Sequence, residues 1–131
     1  MNQVDDKLKK QLEDQREAIL KQLNEWNEKG SFEVNGREYK LAKLSHQFRL
    51  EVLAMYSQIE ANITMGNYGF MVEPNFKKLM EKVDERILFE GSAINKIPKH
   101  FEIHAEDYID YIAIGLKVIC YPFYKSKLRT G

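Results

Sequence analysis

Asn35-Gly36 is the feature that most restricts how this chain can fold. A two-residue type I′ turn needs φ > 0 at both central positions, and Asn followed by Gly meets that need well. The surrounding residues, Ser31-Phe-Glu-Val-Asn-Gly-Arg-Glu-Tyr-Lys-Leu41, alternate with a period of two. With Asn35 and Gly36 as the loop, Val34 faces Arg37 and Phe32 faces Tyr39. Phe32, Val34, Tyr39 and Leu41 then share one face, leaving Glu33, Glu38 and Lys40 on the other. An isolated hairpin is marginal in water, so its apolar face must lie on other elements.

Those elements read as helices. Asn2 to Lys29 holds neither Pro nor Gly and is rich in Lys, Glu, Gln, Asp and Leu. Leu8, Leu12, Ile19, Leu23 and Trp26 recur at helical spacing, interrupted at Asp14-Gln15-Arg16, and Gly30 is placed to end the helix. So narrow a stripe has two uses: packing on its own domain, or pairing with another chain as a short coiled coil. After the hairpin, Ser45 is positioned to cap a second helix that buries Phe48, Val52, Met55, Ile59 and Ile63 and ends near Met65-Gly66. Pro74 suits the first turn of a third, with Phe76, Leu79, Met80, Val83 and Ile87 inward and Gly91 as its stop. Ser92 to His100 is a connection. A fourth helix begins around Ala105 to Asp107, presents Tyr108, Ile109, Ile112, Leu116, Ile119 and Cys120, and ends at Pro122, with Gly115 permitting a close neighbour.

The expected fold is therefore mainly α: a four-helix single domain with one β-hairpin, at about residues 31–41, between the first and second helices. Residues 1–30 are the N-terminal amphipathic helix, 31–124 the helical core with its hairpin, and 125–131 a basic tail. A globule of 131 residues exposes roughly 7,200 Å² and buries about two-thirds of its unfolded surface, enough for one core and not two. Net charge is zero, so the positive field that general nucleic-acid or anionic-membrane binding needs is missing. No apolar run approaches the ~18 residues of a membrane span. The charged N-terminus does not read as a signal peptide, and one cysteine cannot form an internal disulfide. A soluble intracellular protein with no nucleic-acid or membrane partner is expected.

Chemistry-bearing residues are sparse. His100 and His104 have the i, i+4 spacing of two metal ligands, but Phe101-Glu102-Ile103 alternates as an extended link would and no third ligand is placed by spacing. Cys120, on an Ile-rich helix face, reads as a small buried hydrophobe with a raised pKa rather than a nucleophile. Gly66 and Gly69 lack the Lys and hydroxyl residue of a phosphate loop. No catalytic, metal or cofactor-binding residue is assigned, and an enzyme is not expected. What remains is surface. Leu8, Leu12, Ile19, Leu23 and Trp26 on the first helix, and Tyr68, Phe70 and Met71 around a glycine-containing loop, are the candidate partner-binding residues. Tyr121, Phe123 and Tyr124 crowd the C-terminal exit as a second aromatic cluster, and aromatics and Met are enriched at interface centres.

The order of these features resembles the tail assembly chaperones of long-tailed bacteriophages. The resemblance is carried by the hairpin Phe32-Glu-Val-Asn-Gly-Arg-Glu-Tyr-Lys-Leu41 running directly into a helix. It is also carried by the closing segment Asp107-Tyr-Ile-Asp-Tyr-Ile-Ala-Ile-Gly-Leu-Lys-Val-Ile-Cys-Tyr-Pro-Phe123, so that it spans about residues 32–123. The long charged helix before the hairpin departs from the shortest members, which begin near the strand. The resemblance implies a non-enzymatic chaperone of the host cytoplasm. Such a protein coats the tape measure protein, a long helical chain that sets tail length, or binds another tail component, until tube subunits displace it. An amphipathic helix suits a client with exposed apolar stripes. Two other readings stay open: a structural or adaptor virion protein that forms a homo-oligomer, and a small regulatory module that self-associates through its N-terminal helix.

Overall fold

In the computed structural model, which describes residues 2–130 and the side chains of residues 5–125, the hairpin follows its turn chemistry. Strands β1 (Ser31–Val34) and β2 (Arg37–Leu41) pair antiparallel, with Phe32 opposite Tyr39 and Val34 opposite Arg37. Asn35 and Gly36 take φ of 51° and 80°. Phe32, Val34 and Tyr39 are buried, while Glu33, Glu38 and Lys40 are exposed.

The sheet is larger than one hairpin. Ile87, expected on the third helix, instead opens β3 (Ile87–Phe89), which runs beside β2 with Ile87 opposite Leu41. The chain turns at Glu90-Gly91, both with positive φ (51° and 84°), and returns as β4 (Ser92–Ala93) in a meander of order β1-β2-β3-β4. Ile87 lies four residues after Val83, so it satisfies a helical stripe and a strand equally well. The pairing with β2 decides, and the Ala42 N–H donating to the Arg86 carbonyl at 2.8 Å joins the two segments. Gly91 therefore serves a strand turn, not a helix stop.

The rest is helical: α1 (Asn2–Lys29), α2 (His46–Thr64), α3 (Pro74–Arg86), α4 (His100–Ile103) and α5 (Tyr108–Thr130), five helices rather than four. Gly30, at φ 70°, donates to the Trp26 carbonyl to close α1, and its own carbonyl accepts from Leu41 N–H at 2.7 Å, which fastens the helix end to the hairpin. Ser45 Oγ accepts from Phe48 N–H at 3.1 Å, capping α2. The expected extended link 101–103 is instead the single turn α4, entered from Lys99 in the left-handed region.

Pro122 does not end the last helix; α5 continues through it to Thr130 and takes in most of the segment expected as a tail. Proline removes the N–H that would serve the carbonyl four residues back, and its ring crowds that turn. The carbonyl so deprived is that of Val118; Arg49, from α2, donates to the next one, Ile119, at 2.6 Å and ties this turn of α5 to α2.

α5 is the element on which α1, α2 and β1 converge. Ile112, Leu116, Ile119 and Cys120 are fully buried, whereas Ile109, expected on the same face, is 40% exposed. A Cβ at Gly115 would lie 3.1 Å from Phe32 Cζ, so a bare backbone at this point lets the hairpin settle against the helix. The exposed surface is 8887 Å², well above the roughly 7,200 Å² of a globule of this mass. Part of the excess comes from α1.

Candidate functional site

α1, about 42 Å long, has two halves with different surroundings. From Leu20 onward it docks: Leu23 is 6% exposed, Trp26 packs on the core, and the Tyr121 hydroxyl donates to Asn24 Oδ1 at 3.3 Å. Every residue from Asp5 to Ile19 is exposed. Within that free half Leu8, Leu12 and Ile19 stand 54%, 57% and 56% exposed. The five apolar residues of the stripe are thus divided. Leu23 and Trp26 bind the helix to its own body, and the other three face water.

Ile19 also lines a groove of about 240 Å³ where α1 meets α5 and α2, with Leu20, Leu23, Tyr121 and Tyr124 as its apolar wall. Lys117 and Glu60 add one charge of each sign. Tyr121 and Tyr124 belong to the aromatic cluster that the sequence places at the C-terminal exit, whereas Leu20 was not singled out. The two tyrosines flank Pro122, where the helix was expected to stop, so periodicity could not place them on a face.

The second candidate cluster is also divided. Tyr68 is partly exposed, but Phe70 is buried in a 3₁₀ turn (Gly69–Val72) with its ring edge-to-face on Phe76 at 5.1 Å, and Met71 packs against the core. The exposed large apolar residues of this connection are Met65, Tyr68 and Val72. α1 packs on α5 and β1 while the 3₁₀ turn packs on α3, so the two clusters belong to different surroundings.

A buried polar cluster lies elsewhere. Asp107, with no exposed surface, accepts from Asn35 Nδ2 at 2.8 Å, Arg37 at 2.9 Å and the Tyr39 hydroxyl at 2.7 Å. Burial alone would raise its pKa; the three donors outweigh that and hold the carboxyl below its ordinary value. Tyr39 has one hydroxyl proton and gives it to Asp107, so His100 Nε2, 2.9 Å from the same oxygen, is the donor there. Burial, with His104 alongside, keeps His100 neutral by lowering its pKa. His100 and His104 have ring centroids 5.0 Å apart, but the His100 Nε2 is committed to Tyr39. This cluster ties the hairpin to the start of α5. Asn35, Arg37 and Tyr39 converge on Asp107 and His100 joins through Tyr39, so the cluster reads as an anchor. Cys120 is buried, its thiol pushed up to about 12 by desolvation.

No helix among the described residues is long and apolar enough to cross a membrane. Met65, Tyr68, Val72 and Ile103 are also exposed, but the free half of α1 sets its exposed aliphatics at helical spacing beside a groove. Comparison with protein-family models, curated proteins and solved structures returned no match.

Proposed function

We propose that this chain is a non-enzymatic, helix-binding chaperone, and that its client is the long helical tape measure protein of a bacteriophage tail. One observation carries the reading: α1 is fixed to the body at one end and offers Leu8, Leu12 and Ile19 to solvent at the other. A client helix with its own apolar stripe would cover these residues in the manner of a short coiled coil, the mode in which one amphipathic helix recognises another. Covering the three side chains gains roughly 1 kcal/mol each, from which the cost of association must be taken. The resulting affinity is modest, as a chaperone needs when another protein must displace it.

The test is co-expression with the longest helical reading frame encoded beside this one, followed by recovery on a tag. The expected result is a soluble long partner only when this chain is present, and loss of that rescue with Leu8→Glu plus Leu12→Glu. A partner that remains insoluble with the parent chain, or a rescue indifferent to both substitutions, would overturn the reading.

A further inference from the structure

On a heptad frame, Leu12, Ile19 and Trp26 fall at a, and Leu8, Gln15 and Gln22 at d. The e positions of the free half are then Lys9 and Arg16, and its g positions Gln11 and Ala18. All four are exposed, and neither cation takes part in an ion pair among the described residues. Asp5, at a in the first turns, is the only carboxylate on the contact face of the free half; Lys117 and Glu60 cancel in the groove beyond Ile19.

From this pattern we infer that the partner of α1 is a different chain, an amphipathic helix with carboxylates flanking its apolar seam, and not a second copy of α1. The inference rests on the helix-binding reading and gives its partner a chemistry. Two parallel copies would set e against g′, placing Arg16 against Gln11′ and Leu23 against Ala18′, with no opposite charges. Two antiparallel copies would set e against e′, and every register that keeps the pairing within the free half brings Lys9 or Arg16 against Lys9′ or Arg16′. Like charges at such positions are unfavourable by amounts similar to those that opposite charges gain. A polar Gln15 in mid-seam further weakens self-pairing between otherwise apolar layers. A Glu- or Asp-flanked partner satisfies both cations.

Two synthetic helical peptides test this, sharing one Leu/Ile seam and carrying Glu or Lys at all e and g positions. Binding to the full chain is followed by fluorescence anisotropy, with sedimentation of the chain alone in parallel. The Glu peptide should bind about tenfold more tightly than the Lys peptide, and the gap should shrink at high salt. Lys9→Glu with Arg16→Glu should reverse the preference at an unchanged urea midpoint, since both side chains are in water. Equal binding of the two peptides would overturn the acidic-partner inference and leave helix binding standing. Binding of neither would overturn both. A dimer of the chain alone that Leu12→Glu dissolves would show that the partner is a second copy.

Discussion

Leu12 and Leu116 are the same residue on two helices of similar length, yet Leu12 is 57% exposed and Leu116 is 0% exposed. Both belong to an apolar stripe at helical spacing, so the stripe alone does not decide burial. Width does. Around Leu116, α5 presents Tyr111, Ile112, Ile119 and Cys120, and Gly115 lets Phe32 approach the backbone, so neighbours enclose the side chain from several directions. Around Leu12 the free half of α1 offers one column of aliphatics bordered by Lys9, Arg16, Gln11 and Gln15. A narrow seam can take one partner helix but cannot be wrapped by a body. The comparison separates apolar residues that make the fold from those the fold leaves over.

The sharpest way to break the enclosed side of that contrast is Asp107→Asn. The substitution keeps the shape but puts an amide with two donors among Asn35, Arg37 and Tyr39, which are themselves donors. It should cost about 3–5 kcal/mol, read as a shift of the urea midpoint. The pH dependence carries the same signature. Because the folded carboxyl titrates below its unfolded value, its contribution is present above about pH 4 and is lost as pH falls further, so parent and variant should converge in acid.

Next in size is the matched pair itself. Leu116→Ala should cost about 3 kcal/mol, by lost transfer energy and the cavity left behind. Leu12→Ala should change stability by less than about 0.5 kcal/mol. Equal effects in the two helices would remove the distinction between a body and a free arm.

How much of this could be read in advance follows the same division. The first hairpin was legible because Asn35-Gly36 names its turn and the flanking residues its register. The caps at Ser45 and Gly30 were legible because their chemistry is local. Asn35 also hid a second role: its side chain reaches Asp107, 72 residues away, and no local signal announces a contact of that range. β3 and β4 were missed because Ile87 fits a helix as well as a strand and Glu90-Gly91 carries Glu where Asn or Asp would mark the turn. Pro122 misled because α5 runs on through it while packed against α1 and α2, contacts that no local signal reports. Among the partner-binding candidates, periodicity placed Leu8 to Trp26 on one stripe but could not say where the body ends. Leu23 and Phe70 proved buried in the chain's own core.

Asp84, on α3, offers a smaller and opposite effect. It is partly buried and accepts from the Tyr111 hydroxyl at 2.7 Å, yet desolvation pushes its pKa up to about 6. Between about pH 4 and pH 6 the folded chain therefore holds a proton the unfolded chain has released, and stability falls as pH rises through that window. Asp84→Asn keeps an acceptor for Tyr111 and removes the buried charge. It should raise stability at pH 7 by about 1 kcal/mol and flatten the profile between pH 4 and pH 6. A parent whose urea midpoint does not fall across that range would show that Asp84 is better solvated than its position on α3 implies.

The smallest effect on stability is the most informative about function. Leu8→Glu with Leu12→Glu places two carboxylates on a surface that already faces water and leaves the docked half of α1 intact. The urea midpoint should move by less than about 0.5 kcal/mol and the helical circular dichroism should be unchanged, while capture of a helical client is lost. Leu23→Glu is the necessary contrast: it buries a charge at a position 6% exposed, so any loss of binding there arrives with loss of folding. Substitutions in the free half that unfold the body would place Leu8 and Leu12 in a core after all, and the division of α1 would fall with them. Stability kept and binding lost would instead assign the exposed seam to a partner, because nothing within the chain would have registered its removal.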